Sequence, residues 1–175
     1  MKKCINFFAI AVMLSSLVFT AHAQGDKSKR PSPPMTASGK AGSAVVTIDY
    51  GAPSVKGREI YGDLVPYGKV WRTGANEATT FSVSKDVTIN GQPLAAGKYA
   101  LFTIPEKGEW TVIFNKNPEQ WGAYDYKEDQ DALRIKVKPE KTSALQEQLK
   151  FGVGDGGKVK LAWEHQSIEF TVSAK

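Results

Sequence analysis

The chain has 175 residues, 23 Lys and Arg against 18 Asp and Glu, two His and one Cys, for a formal charge of +5. An apolar share of 41% is enough for a packed core and excludes disorder along the whole chain. A single cysteine excludes a disulfide framework within the chain.

The first segment reads as an address. Met1-Lys2-Lys3 is basic, residues 5–20 are apolar with small polar interruptions, and Ala21-His22-Ala23 offers small residues where a signal peptidase reads. The pattern predicts a signal peptide over residues 1–23, cleaved after Ala23, and export to the periplasm or the outside. The apolar run is shorter than the roughly 20 residues a spanning helix needs, so membrane contact is expected only through an uncleaved signal. Cys4 precedes the run, which argues against a lipid anchor. Cleavage leaves 152 residues with 21 basic and 18 acidic side chains, no cysteine, and His165 as the single histidine.

Residues 24–43 are polar and carry Pro31, Pro33 and Pro34. They read as an extended N-terminal arm. One domain is expected over residues 44–175. There the apolar period is 2, which predicts strands at 45–50, 79–83, 87–89, 98–104, 110–115, 133–138, 149–153, 159–164 and 167–173. Asn90-Gly91 is a hairpin signal. Residues 105–108 and 154–157 read as two further tight connections, and His165-Gln166 as the last bend. The weak helical candidates are residues 59–65 and 142–148. About nine short strands predict an all-β fold: an antiparallel β-sandwich or a jelly-roll-like barrel with long loops.

Two stretches break the strand rhythm. Residues 51–77 form a long connection holding Arg58, Trp71, Arg72, Asn76 and Glu77. Residues 120–131 concentrate Trp121, Tyr124 and Tyr126 beside Asp125, Glu128, Asp129 and Asp131. Arg supplies a planar fork of donors, while Asn and Glu supply acceptors. Arg58, Trp71, Arg72, Asn76 and Glu77 are therefore candidate binding residues, with Tyr124 and Tyr126 as candidate walls. Two readings stay open for residues 71–77. Arg72 pairs with Glu77 or Asp49 to pin a loop, with Trp71 in the core, or the group holds a ligand. For the aromatics Trp121, Tyr124 and Tyr126 a packed loop is the favoured reading, with a ligand wall as the alternative.

The chain resembles an exported bacterial family known as domain of unknown function 2911. The resemblance rests on Arg30-Pro31-Ser32-Pro33, Ile48-Asp49-Tyr50, Gly57-Arg58-Glu59-Ile60, residues 62–68, Trp71-Arg72-Thr73-Gly74-Ala75-Asn76-Glu77-Ala78-Thr79, Ala96-Gly97-Lys98-Tyr99, Trp110-Thr111-Val112 and residues 121–126. It implies an exported β-rich domain and carries over no activity and no catalytic residues. It also implies that the arm from Arg30 belongs to the domain.

Other chemistry is restricted by composition. Without a cysteine after residue 23, thiol nucleophiles and thiolate metal sites are excluded. One histidine leaves no His-rich metal site, and no metal or cofactor is expected. The acidic run at 125–131 lacks the spacing of a twelve-residue calcium loop. Lysines and arginines that alternate along strands read as a solvated face, so no nucleic acid is expected. Paired carboxylates remain, with Asp49, Glu77 and Asp125 as the set that would have to converge. Three functions are carried forward: a module binding a small polar ligand or glycan, a structural or envelope-interaction protein, and a carboxylate-based hydrolase. An enzyme is the less favoured reading, and the oligomeric state is left open.

Overall fold

The computed structural model describes residues 26–175. The predicted leader over residues 1–23 lies outside the described residues. Among the described residues there is no helix long and apolar enough to cross a membrane.

Among the described residues, ten strands form two antiparallel sheets. They are β1 Pro34–Ala41, β2 Ala44–Gly51, β3 Thr80–Val83, β4 Val87–Ile89, β5 Gln92–Leu94, β6 Gly97–Ile104, β7 Trp110–Asn115, β8 Asp131–Val137, β9 Glu140–Val153 and β10 Lys158–Ala174. The larger sheet has the order β1-β2-β3-β6-β7-β8 and the smaller β5-β4-β10-β9. The two stack as a sandwich, and no closed barrel forms.

Alternation explains the layers. In β2, Ala44, Val46, Ile48 and Tyr50 are buried while Val45 and Asp49 are exposed. Successive strand residues point to opposite faces, so one row enters the core and the next faces out. The core between the sheets holds Ile48, Phe81, Leu101, Phe114, Leu161 and Phe170 among others. Phe81 and Phe114 meet edge to face at 5.0 Å, which suits the aromatic quadrupole. Asn90 (φ 47°) and Gly91 (φ 82°) form the left-handed two-residue turn between β4 and β5 that their sequence predicts.

Four expectations change. The N-terminal arm is extended, but residues 34–41 are hydrogen-bonded along the whole of β2 as strand β1. Residues 59–65 form turns rather than a helix, with Gly62 at φ 108° and a bridge between Tyr61 and Val65. Residues 142–148 lie in β9, where pairing with β10 overrides their helical propensity. Residues 165–166 are not a bend between two strands. They continue β10 past register shifts around Glu164, which sits at φ 57°.

The connection over residues 52–79 is packed. Ile60, Tyr61 and Val65 are buried, and Tyr61 stands edge-on to Trp110 at 4.9 Å. Trp71 stacks on Trp163 at 5.8 Å. These rings close one end of the sandwich. The same connection passes so near Gly51 that a Cβ there would lie 2.2 Å from the Ala75 carbonyl oxygen. Gly51→Ala is therefore expected to destabilise by about 1–3 kcal/mol through overpacking against backbone. At about 2–4 °C per kcal/mol for a chain of this size, thermal melting should fall by several degrees. An unchanged melting temperature would contradict the close approach.

Candidate functional site

A polar row crosses the outward face of the larger sheet. Thr36 pairs with Asp49, Asp49 with Thr80, Thr80 with Ala100, Ala100 with Asn115, and Asn115 with Asp131. Directly opposed residues of an antiparallel pair project to the same side. The row therefore presents, in order, a hydroxyl, a carboxylate, a hydroxyl, the small Ala100, a carboxamide and a second carboxylate.

Two loops meet above this row. The Ala78 amide donates to the Gln120 carbonyl at 2.9 Å, and the Gly122 amide donates to the Asn76 carbonyl at 3.2 Å. Glu77 and Trp121 face each other across this bridge. The two irregular stretches of the sequence are thus clasped to one another. Beneath them, Ala78 packs with Ala100, Phe102 and Ile113 in a second small apolar cluster.

The N-terminal turn Lys27–Lys29 lies alongside. Arg30 Nη1 reaches the two carboxylate oxygens of Glu77 at 3.1 and 2.8 Å, and Lys27 Nζ lies 3.1 Å from Glu77 Oε1. Burial pushes the Glu77 carboxyl up, but its own backbone amide and the bonds from Lys27 and Arg30 outweigh that. The net position is below the ordinary carboxylate value.

Between clasp, arm and sheet lies a cleft of about 570 Å³. Its charged walls are Lys27, Arg30, Asp49, Glu77, Lys98 and Glu119. Thr80 and Gln120 also line it and are only 9% and 6% exposed. Thr80 Oγ1 and Gln120 Oε1 are buried and have no hydrogen-bond partner. Most buried polar atoms are paired, so two such atoms along one cleft are unusual. The orientation of the Gln120 amide follows from its neighbours. The Asn115 side chain donates to Lys127 O at 2.9 Å and Asp131 Oδ1 at 2.8 Å. Asn115 Oδ1 must then be an acceptor, and Gln120 Nε2 donates to it at 3.1 Å and to Asn117 O at 2.6 Å. Oε1 is the end left over. At the rim, Trp121 is 54% exposed.

The candidate residues divide. Asn76 and Glu77 line the cleft; Arg58, Trp71, Arg72, Tyr124 and Tyr126 are not among its walls. Asn76 donates to Ser32 O at 3.0 Å and so also holds the arm. Trp71 belongs to the core edge, and its Nε1 donates to Gly74 O at 3.2 Å. Arg58 donates to Val55 O at 3.0 Å and Ser54 O at 2.7 Å, pinning its own loop. Arg72 forms neither of the pairs open to it in the sequence, since Glu77 takes Lys27 and Arg30, and Asp49 accepts from Thr36 at 2.7 Å. Arg72 Nε is buried without a partner, and its carbonyl accepts from the Thr79 amide at 3.2 Å. Tyr124 is 84% exposed. Tyr126 is packed: its ring stands on Phe102 at 5.1 Å and its hydroxyl donates to Asp131 Oδ2 at 2.7 Å. Burial and then Asp131 push that hydroxyl up to about 12.

Sequence reasoning passed over Thr80, Lys98 and Gln120, and weighed Trp121 only among the aromatics of its loop. Alternation places Lys98 outward, but only strand register puts Thr80 beside Asp49. Nothing local in the sequence shows the clasp that brings Gln120 over the sheet.

A family model described as protein of unknown function (DUF2911) matches residues 32–172. The chain belongs to this family. The matched span includes β1, so the strand formed by the arm is part of the shared unit. No curated protein and no solved structure matches the chain.

Two substitutions separate scaffold from site. Trp71→Ala removes a core ring and is expected to cost about 3–5 kcal/mol, read as a fall in melting temperature well beyond 5 °C. Glu77→Gln breaks a half-exposed ion pair worth about 1 kcal/mol or less, a shift within about 4 °C. Because the folded carboxyl lies below its ordinary value, the Glu77 contribution is fully present above pH about 5 and fades as pH falls below 4.5. Amide exchange in residues 27–33 should quicken over that acid window in the wild type and show no such step in Glu77→Gln. A similar acid step in both would contradict the hold of Glu77 on Lys27 and Arg30.

Proposed function

We propose that the protein is a binding module for a small hydroxyl-bearing polar ligand, of the size of a sugar unit, held in the cleft between the clasp and the larger sheet. The observation that carries this reading is the pair of buried, unpartnered oxygens on Thr80 and Gln120. Leaving such an oxygen unpaired costs about 1–3 kcal/mol, a cost a ligand's donor removes. The cleft volume of about 570 Å³ falls within the usual range for small-ligand sites. Charged groups of both signs fix a polar ligand's orientation, and Trp121 at the rim offers an aromatic face to a sugar ring. The apolar leader supports export, with the periplasm or the outside as the place of work.

A structural or envelope-interaction role is the second reading. It is favoured by the number of polar groups in residues 54–79 that bond within their own loops. The hydrolase reading has less support. A glycosidase needs one carboxyl kept protonated as the acid, and the cations on Glu77 hold it ionised. Asp49 shares the cleft with Glu77, whereas Asp125 is not among its walls.

The two leading readings differ in what Thr80→Val does. It replaces an unpaired buried hydroxyl by a methyl group of the same shape, so the ligand-free protein should melt at or above the wild-type temperature. Binding should weaken in the same variant. A thermal-shift panel of hexoses, cell-wall glycan fragments and small carboxylic acids supplies the binding signal. A panel in which nothing raises the wild-type melting temperature, together with a destabilised Thr80→Val, would favour the structural reading.

A further inference from the structure

The larger sheet ends on one side at β1, and among the described residues no strand but β2 pairs with it. Bonds one strand further in show which of its backbone groups are free. The Ser84 amide donates to the Val45 carbonyl at 3.0 Å and the Val45 amide to the Ser84 hydroxyl at 2.8 Å, so the Val45 backbone faces β3. Alternation then turns Val46, Ile48 and Tyr50 toward β1, and the Ala52 amide keeps that phase with a bond to Pro33 O at 2.9 Å. Through the register, Gly39, Ala37 and Met35 direct their backbone groups at β2. Thr36, Ser38 and Lys40 direct theirs away from the sheet, and all three residues are exposed.

Such a row is a template for another strand. The other edges offer less. Residues 53–55 cover β9, with the Val55 amide on Glu147 O and the Leu149 amide on Pro53 O, both at 2.8 Å. β5 has three residues, one of them Pro93. β8 carries Arg134 and Lys136 on its outward row, so a copy paired there would set cation against cation.

β1 is complementary to itself. A two-fold axis normal to the sheet at Ser38 sets Thr36 of each copy opposite Lys40 of the other, and Ala37 opposite Gly39. Every free residue of one edge then meets a free residue of the other, and Pro34, which has no amide hydrogen, stays beyond the ladder. Asp49 continues the row, because it stands opposite Thr36. Thr36 occupies its Oδ1, and among the described residues neither Asp49 nor Lys40 has an ion-pair partner. Pair spacings of about 4.5 and 5.5 Å put Asp49 about 10 Å from Lys40 of the second copy at Cα, within the joint reach of the two side chains. The two-fold makes this contact twice.

We propose that the protein forms a two-fold dimer through antiparallel pairing of β1 with β1 of a second copy, with Asp49 of each copy facing Lys40 of the other. The two six-stranded sheets become one. Asp49 also lines the cleft, so the dimer brings a lysine of the second copy to the cleft's β1 side. Pairing of this kind is independent of whether the cleft holds a ligand.

Sedimentation equilibrium tests it with a charge swap. Lys40→Glu alone sets two carboxylates together at each contact, and Asp49→Lys alone sets two ammonium groups together. Each variant should dimerise at least about tenfold more weakly than the wild type, and an equimolar mixture of the two should regain wild-type association within about threefold, since every contact is then opposite in sign. Ser38→Pro removes an amide hydrogen that only the dimer uses. It should be monomeric at concentrations where the wild type is dimeric, and still melt cooperatively. A wild type that stays monomeric up to millimolar concentration would overturn the proposal. A dimer that tolerates both Ser38→Pro and Lys40→Glu would overturn β1 as the interface, and a mixture no better associated than its components would overturn the facing of Asp49 and Lys40.

Discussion

Two backbone hydrogen bonds between residues 76–78 and 120–122 clasp together the two loops that form the cleft. They tie the connection leaving β2 to the connection leaving β7 across the outward face of the larger sheet. Together with the side-chain bonds of Gln120 to Asn115 and Asn117, they stand Trp121 at a rim and set Glu77 where the arm can reach it. The clasp is itself held from below. Ala78 packs on Ala100 and Phe102, and Tyr126 closes over Phe102 with its hydroxyl on Asp131. A small apolar patch on the outer face thus fixes the loops that make the polar cleft beside it.

The loop before the clasp carries strain of its own. Thr73 sits at φ 55° and Asn76 at φ 64°, a region that asparagine tolerates and β-branched threonine does not. Surrounding bonds hold Thr73 there. Its carbonyl accepts from the Thr79 hydroxyl at 2.9 Å and its hydroxyl lies 3.1 Å from that of Thr103. Backbone strain persists only where neighbours over-determine it. Here the neighbours are the core end closed by Trp71 and Trp163 on one side and the clasp on the other. Much of the polar density in residues 54–79 is spent on this anchoring, as the bonds of Arg58 and Trp71 show.

Much of the fold was legible from the residues alone. Alternation in residues 45–50 carries strand, face and burial together, because a period of 2 admits one solution when one face is buried; residues 110–115 are buried on both faces, the outer one under the loops. Asn90-Gly91 announced its own turn. What failed were segments whose state is set by a distant partner. Residues 34–41 look polar and proline-flanked, and become a strand because β2 offers an open edge. Residues 142–148 favour a helix locally and are overruled by β10. Composition pointed to the two loops that border the cleft but to few of the side chains that line it. Glu77 and Asn76 line the cleft, but Thr80 was indistinguishable from any outward strand threonine. Arg58 looked like a ligand group because a sequence does not show which carbonyls an arginine will cap, whereas Arg72 ends with Nε buried and unpartnered.

The central claim is that the clasp is a formed, persistent element that makes the cleft, not a transient meeting of two loops. Site-resolved hydrogen exchange of the Ala78 and Gly122 amides tests it most directly, since these are the two donors across the bridge. The account predicts protection comparable to amides of β6 and β7, well above that of exposed loop amides such as those around Tyr124. Exchange of Ala78 and Gly122 at the free-loop rate would contradict it.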